Sequence, residues 1–187
     1  MSGKTTTQRD PAKLRSHQLQ RKFFPMPADS QLIAMVETTA DPPKPQILPE
    51  GTVITGGEWA YAMVVKDADS IDVIVRDDLA GNDAEVERLF IKDKLAHRDM
   101  PDLRIAWCLQ RLAEIERGRS FGEDVPWQVK EAIRDELVNR DRKSSSPRQV
   151  NRLLQILRTP PEIQLAVEAG MIDIKLACKV ESLPEDL

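Results

Sequence analysis

Residues 48–62 read LPEGTVITGGEWAYA, and this stretch decides the fold. Thr52, Val53, Ile54 and Thr55 are all β-branched and read as a strand. Pro49-Glu50-Gly51 before them reads as a turn, and Gln46-Ile47-Leu48 as a short partner strand, so the two form a hairpin. Gly56-Gly57 then breaks the strand, and residues 58–65 (EWAYAMVV) are helical in pattern. Strand, glycine turn and helix start form a generic place to receive a phosphate, because helix N–H groups point outward there. The same pair of glycines serves equally as a tight turn with no ligand.

Outward from this stretch the chain alternates between strand and helix signals. Residues 70–76 (SIDVIVR) alternate and are rich in β-branched residues, which predicts a strand. Val86, Leu89, Phe90 and Leu95 recur at helical spacing and predict a helix over residues 83–97. A longer helix is expected over 101–117, its apolar face built from Leu103, Ile105, Ala106, Leu109, Leu112 and Ala113, with Gly118 ending it. Upstream, Asp29-Ser30 reads as the N-cap of a short helix over 31–36, and the prolines at 42, 43 and 45 forbid helix after it. Residues 1–11 are polar and aperiodic and read as a disordered tail.

Beyond Gly118 only helical patterns remain. They cover residues 126–139, 146–157, a segment opening at Pro160-Pro161 and ending at Gly170, and 172–183. The expected fold class is therefore α+β: a small mixed-sheet domain over 12–118, followed by an all-helical domain over 119–187.

Composition narrows the functional classes. The chain has 187 residues, enough to bury a core without disulfides or metals. Its two cysteines, Cys108 and Cys178, are far apart and lack zinc-ligand spacing, so no structural metal is expected. His17 and His97 are the only histidines and read as surface residues. Trp59, Trp107 and Trp127 read as core or interface residues. No P-loop, G-x-G-x-x-G or G-x-S-x-G motif occurs. No apolar run is long enough to span a membrane, and no partner role at a membrane is expected. A reduced cytoplasm is the simplest setting.

The net charge of −4 conceals strong segregation. Residues 139–158 carry a net +5, whereas residues 67–99 carry −5 and residues 159–187 carry −4. A smaller basic patch, net +4, spans residues 9–22. The central basic block has the form of a helix-turn-helix. Ser146 supplies a hydroxyl cap and Pro147 the first helical position. Arg148, Gln149, Asn151 and Arg152 then stand near the start of a recognition helix, where arginine grips guanine and an amide side chain grips adenine. Arg142, Lys143, Ser144 and Ser145 suit phosphate contacts, which give affinity without sequence information. The plain alternative is a surface helix with an arginine-rich face.

The order of these pieces resembles the ParB-like family. The resemblance rests on Leu48 through Ala62, on Ile71 through Leu79, on Asp93 through Met100 beside the family's Glu-Asn-x-x-Arg segment, and on the helical region that follows Ser146. It implies a ParB/sulfiredoxin-like domain joined to a helix-turn-helix domain that binds double-stranded DNA. It further implies plasmid or chromosome partition or transcription regulation, a homodimer, a partner partition ATPase, and a cytoplasmic location on nucleoid or plasmid. Some members bind and hydrolyse CTP with magnesium through a Gly-Glu-Arg-Arg turn and the Glu-Asn-x-x-Arg segment. Here the turn reads Gly56-Gly57-Glu58-Trp59 and lacks both arginines, while Lys94 and His97 replace the asparagine and arginine of the second segment. Gly56, Gly57, Lys94 and Arg98 are the candidate nucleotide-binding residues that remain. The expectation is a DNA-binding protein without a cofactor or catalytic residues. Two alternatives are a CTP-dependent switch with a degenerate site, and a family member that binds only protein partners.

Overall fold

The computed structural model describes residues 3–96, 100–118, 152 and 154–181. The chain divides into two compact units, residues 1–93 and 94–187, so the division falls earlier than the expected 118/119 boundary.

The first unit is built on a five-stranded mixed sheet, in the order β1-β5-β3-β4-β2. The strands are β1 (Lys4–Arg9), β2 (Arg15–Ser16), β3 (Gln46–Ile47), β4 (Thr52–Thr55) and β5 (Ile71–Arg76). The helices of this unit are α1 (Gln18–Phe23), α2 (Asp29–Thr38), α3 (Gly57–Val65) and α4 (Asp83–Leu95), whose last turn crosses the unit boundary. β3 and β4 form the expected hairpin, closed by Leu48 N–H donating to the Thr52 carbonyl at 2.9 Å. Gly51 takes φ +91° at its turn, a conformation that favours glycine.

The expectation of a disordered tail over residues 1–11 is corrected. Residues 4–9 form β1, paired antiparallel with the whole of β5, from Lys4↔Arg76 to Arg9↔Ile71. Three consecutive threonines give this segment its β-propensity, and β5 offers it a complete ladder. β1 is an edge strand with almost every residue exposed, so it needs no apolar alternation.

Successive side chains of a strand point to opposite faces, and β4 shows the consequence. Val53 joins Ile47, Ala60, Ile71, Val73 and Val75 in one core cluster, with Leu14 and Met63 packed against it. The next residue, Ile54, joins Leu79 and Val86 in a second cluster flanked by Leu48 and Leu89. The sheet is thus covered by α3 on one face and α4 on the other. At the end of β5, the Arg76 guanidinium forks onto both oxygens of Asp78 at 2.8 and 2.7 Å and donates to Gln46 Oε1 at 2.5 Å, tying β5 to β3. That fork holds the Asp78 carboxyl below its ordinary range.

The helix over 31–36 begins earlier than expected. Asp29 and Ser30 lie inside α2, Ala28 is its N-cap, and the Gln31 side chain accepts from the Ala28 N–H at 3.3 Å. His17, expected at the surface, is buried and stacks on Phe90 with ring centroids 4.5 Å apart. Its Nδ1 accepts from the Leu19 N–H and so caps α1.

In the second unit, α5 (Asp102–Glu116) buries Ala106, Cys108, Leu109, Leu112 and Ala113, close to the expected face. Glu114 on the same helix is fully buried and accepts from Gln110 Nε2 at 3.0 Å and Arg111 Nη1 at 3.1 Å. Two further helices are α6 (Pro161–Glu168) and α7 (Ile174–Glu181). Arg104 on α5 donates twice to Glu168 on α6. Asp173 caps α7 by accepting from the N–H groups of Lys175 and Leu176, which lowers its carboxyl pKa. No helix among the described residues is long and apolar enough to cross a membrane.

Candidate functional site

The glycine turn sits where β4 runs into α3. Gly56 adopts the left-handed conformation, φ +70°, and is the N-cap of α3. A Cβ built on it would lie 3.2 Å from the Cα of Pro45, a buried residue. Glycine is therefore required at 56 by backbone geometry and packing alone. At Gly57 a Cβ would meet the side-chain oxygen of Gln20 at 3.6 Å.

Two oxygen acceptors border this turn. Asp93, on the last turn of α4 within the first unit, accepts from the Gly56 N–H through Oδ2 at 3.3 Å. Gln20, on α1, is only 4% exposed. Its Nε2 donates to the Phe24 carbonyl and the Met26 sulfur, which leaves Oε1 buried with no hydrogen-bond partner among the described residues. Gln20 and Gly57 line a cavity of about 50 Å³ together with Arg15, Ser16, His17 and Tyr61. The remaining walls are mainly apolar, from Val53, Ile54, Ala60 and Phe90.

Of the four candidate nucleotide residues, the structure brings together Gly56 and Gly57. Lys94 is buried and begins the second unit, and Arg98 lies outside the described residues. From Gly56 to Val65 there is no arginine or lysine, and Glu58 sits in the first turn of α3. Trp59 and Ala60 are buried in the core rather than presented to the turn. Asp93, Gln20 and Pro45 were not among the sequence candidates. Asp93 did lie within the segment compared with Glu-Asn-x-x-Arg, but nothing local marks it as a partner of Gly56.

For the helix-turn-helix candidates, Arg142, Lys143, Ser144, Ser145, Ser146, Arg148, Gln149 and Asn151 lie outside the described residues. Arg152 is described: it is half-buried, and its carbonyl accepts from the Cys178 thiol at 3.4 Å. In the basic patch over residues 9–22, Arg9, Lys13, Arg15, Arg21 and Lys22 are all exposed, and Lys13 pairs with Asp10.

A mixed sheet sandwiched by helices, a glycine turn leading into α3, and a helical second unit define a ParB-like fold. Two solved structures described as pNOB8-like ParB N-domains match this chain, one with TM-score 0.67 and 14% identity over 97% of this chain and 82% of the other. The second has TM-score 0.62 and 13% identity, covering 97% of this chain and 76% of that one. The C-terminally truncated chromosome-partitioning protein ParB from Caulobacter crescentus, solved with the centromeric parS site, matches with TM-score 0.59 and 16% identity, covering 96% of this chain and 86% of that one. No family model matches the sequence, and neither does any curated protein.

Proposed function

We propose that this chain is a ParB-like protein that binds double-stranded DNA, acting in plasmid or chromosome partition or in transcription regulation. The observation that carries the reading is the fold likeness over nearly the whole chain to a partitioning protein solved on its parS site. The charge pattern adds to it, since the net +5 of residues 139–158 lies where the sequence has the pattern of a helix-turn-helix. In this reading Arg148, Gln149, Asn151 and Arg152 face base edges, and Arg142, Lys143, Ser144, Ser145 and Ser146 hold phosphates. A homodimer would present two such helices one helical turn of DNA apart. A partition ATPase partner and a nucleoid- or plasmid-associated place in the cytoplasm belong to the same reading.

Selection of bound DNA from a random pool at two salt concentrations tests it. An enriched sequence is expected, and Arg148→Ala or Arg152→Ala should weaken binding to it about tenfold or more. A steep salt dependence with no enriched sequence would indicate phosphate contacts only. Full affinity in both variants would remove the assignment of this helix. A second reading, a protein that meets only protein partners, is favoured by the exposed Leu165, Met171 and Leu176. It predicts no DNA binding at any salt concentration.

A further inference from the structure

We infer that the first unit carries a phosphate-backbone contact of its own: Arg15, Ser16, Arg21 and Lys22 form a surface that holds the DNA duplex in addition to the basic block of residues 139–158. The inference rests on the DNA reading and extends it to a second part of the chain.

Ion pairing in the first unit is uneven. Lys44, Lys66, Arg76 and Arg88 are the cations of residues 44–88, and each lies within 4.0 Å of a carboxylate, on Asp72, Glu37, Asp78 and Glu85 respectively. Residues 9–22 are built the other way. All five of their cations are exposed, and among the described residues only Lys13 meets a carboxylate, that of Asp10. Lys22 holds its ammonium 5.0 Å from the centre of the Phe23 ring, a contact that leaves the charge unneutralised. Residues 67–99 meanwhile carry a net −5. Unpaired positive charge gathered on an otherwise acidic unit suits a polyanion.

The fold brings three of these cations to one place. β2 is an edge strand, paired with β4 on one side. Arg15 on β2 and Gln20 on α1 line the same cavity of about 50 Å³, so strand and helix stand side by side. Leu19 and Gln20 are buried, which turns the next two residues of α1, Arg21 and Lys22, toward solvent. Ser16 is exposed beside Arg15, and the exposed Tyr61 reaches the same cavity. Guanidinium, ammonium and hydroxyl groups are the side-chain donors that bind DNA phosphates. Exposed Glu50 adjoins Gly51, whose carbonyl accepts from the Arg15 N–H at 3.0 Å, so one carboxylate stands against three cations. Arg9 ends β1 at the opposite edge of the sheet and is not part of this surface.

The test uses the full chain and a duplex carrying the sequence enriched from the random pool, or a random duplex where none is enriched. Binding is measured over a series of salt concentrations for the wild type and for the triple variant Arg15→Gln, Arg21→Gln, Lys22→Gln. The slope of log K against log salt should become shallower by about 2–3, because each lost phosphate contact removes about 0.9. The sequence preference should stay the same, since phosphate contacts do not read bases. The urea midpoint should also stay the same, since all three side chains are exposed. A control, Lys44→Gln with Lys66→Gln, removes two cations that already have acids and should leave the slope unchanged. An unchanged slope in the triple variant overturns the inference; a patch that serves an acidic protein partner gives this result. A loss per cation in the control equal to that in the triple variant overturns it too, because overall charge then explains the effect. Both outcomes leave the DNA reading standing, whereas a wild type without DNA affinity at any salt concentration removes both.

Discussion

Alanine at position 56 gives the sharpest test of how the turn is built. Gly56 at φ +70° and Gly81 at φ +78°, both in the first unit, take closely similar positive φ. Placing an L side chain in that region costs about 1–2 kcal/mol wherever it occurs. Around Gly81 a Cβ would meet nothing within 4 Å, so Gly81→Ala should cost only that amount. At Gly56 the Cβ would lie 3.2 Å from a backbone atom of buried Pro45, which cannot swing aside as a flexible side chain can. Overpacking of this kind adds about 1–3 kcal/mol, so Gly56→Ala should cost about 2–5 kcal/mol in all. For a unit of 93 residues this corresponds to a melting temperature lower by about 8 °C or more. Native-state hydrogen exchange of the β5 amides reads the opening of this unit directly. Equal losses in the two variants would refute the argument, because the Pro45 contact is the only difference it invokes.

Other perturbations have equally defined outcomes. Glu114→Ala should destabilise the second unit by about 3 kcal/mol in urea unfolding, since it strips a buried carboxylate from Arg111 and Gln110. Asp78 has a folded pKa held below its ordinary 3.8 by Arg76, so its contribution is full above that value and disappears as the pH falls through the folded value. Asp78→Asn should therefore flatten the acid limb of the first unit's stability profile, and an unchanged limb would contradict the ion pair. Asp173→Ala should shorten α7 and loosen the Lys175 and Leu176 amides in hydrogen exchange. Removing residues 1–9 should expose the β5 amides on the β1 side to fast exchange while those paired with β3 stay protected.

Elements with a strong local period were legible in the sequence. β5 buries its alternate residues Ile71, Val73 and Val75, α5 buries one helical stripe, and the β3–β4 hairpin announces itself through Pro49 and Gly51. β1 was not legible, because a polar edge strand has no apolar pattern and owes its order to a distant ladder. The burial of His17 depends on Phe90, and the role of Asp93 on an amide 37 positions earlier, so neither leaves a local trace. The helical second half was legible as helix starts at Pro161 and around Asp173, where proline and a side-chain cap speak locally. The glycine turn was read correctly as a turn; only side chains arriving from α1 and α4 revealed what surrounds it.

The pairing of β1 with β5 also sets an order of events during synthesis. Arg9 and Lys4 meet partners 62 and 72 positions later, so the first strand made is closed by the last strand of its sheet. At the usual rate of chain growth β1 waits about 3–14 s for β5 to appear. Contacts of such long sequence separation are also among the slowest to form once both strands exist. A waiting strand of valine and isoleucine would be an open template for other chains. Lys4, three threonines, Gln8 and Arg9 make this one a poor template, because the polarity that hides it as a strand also disfavours edge-to-edge pairing with other chains.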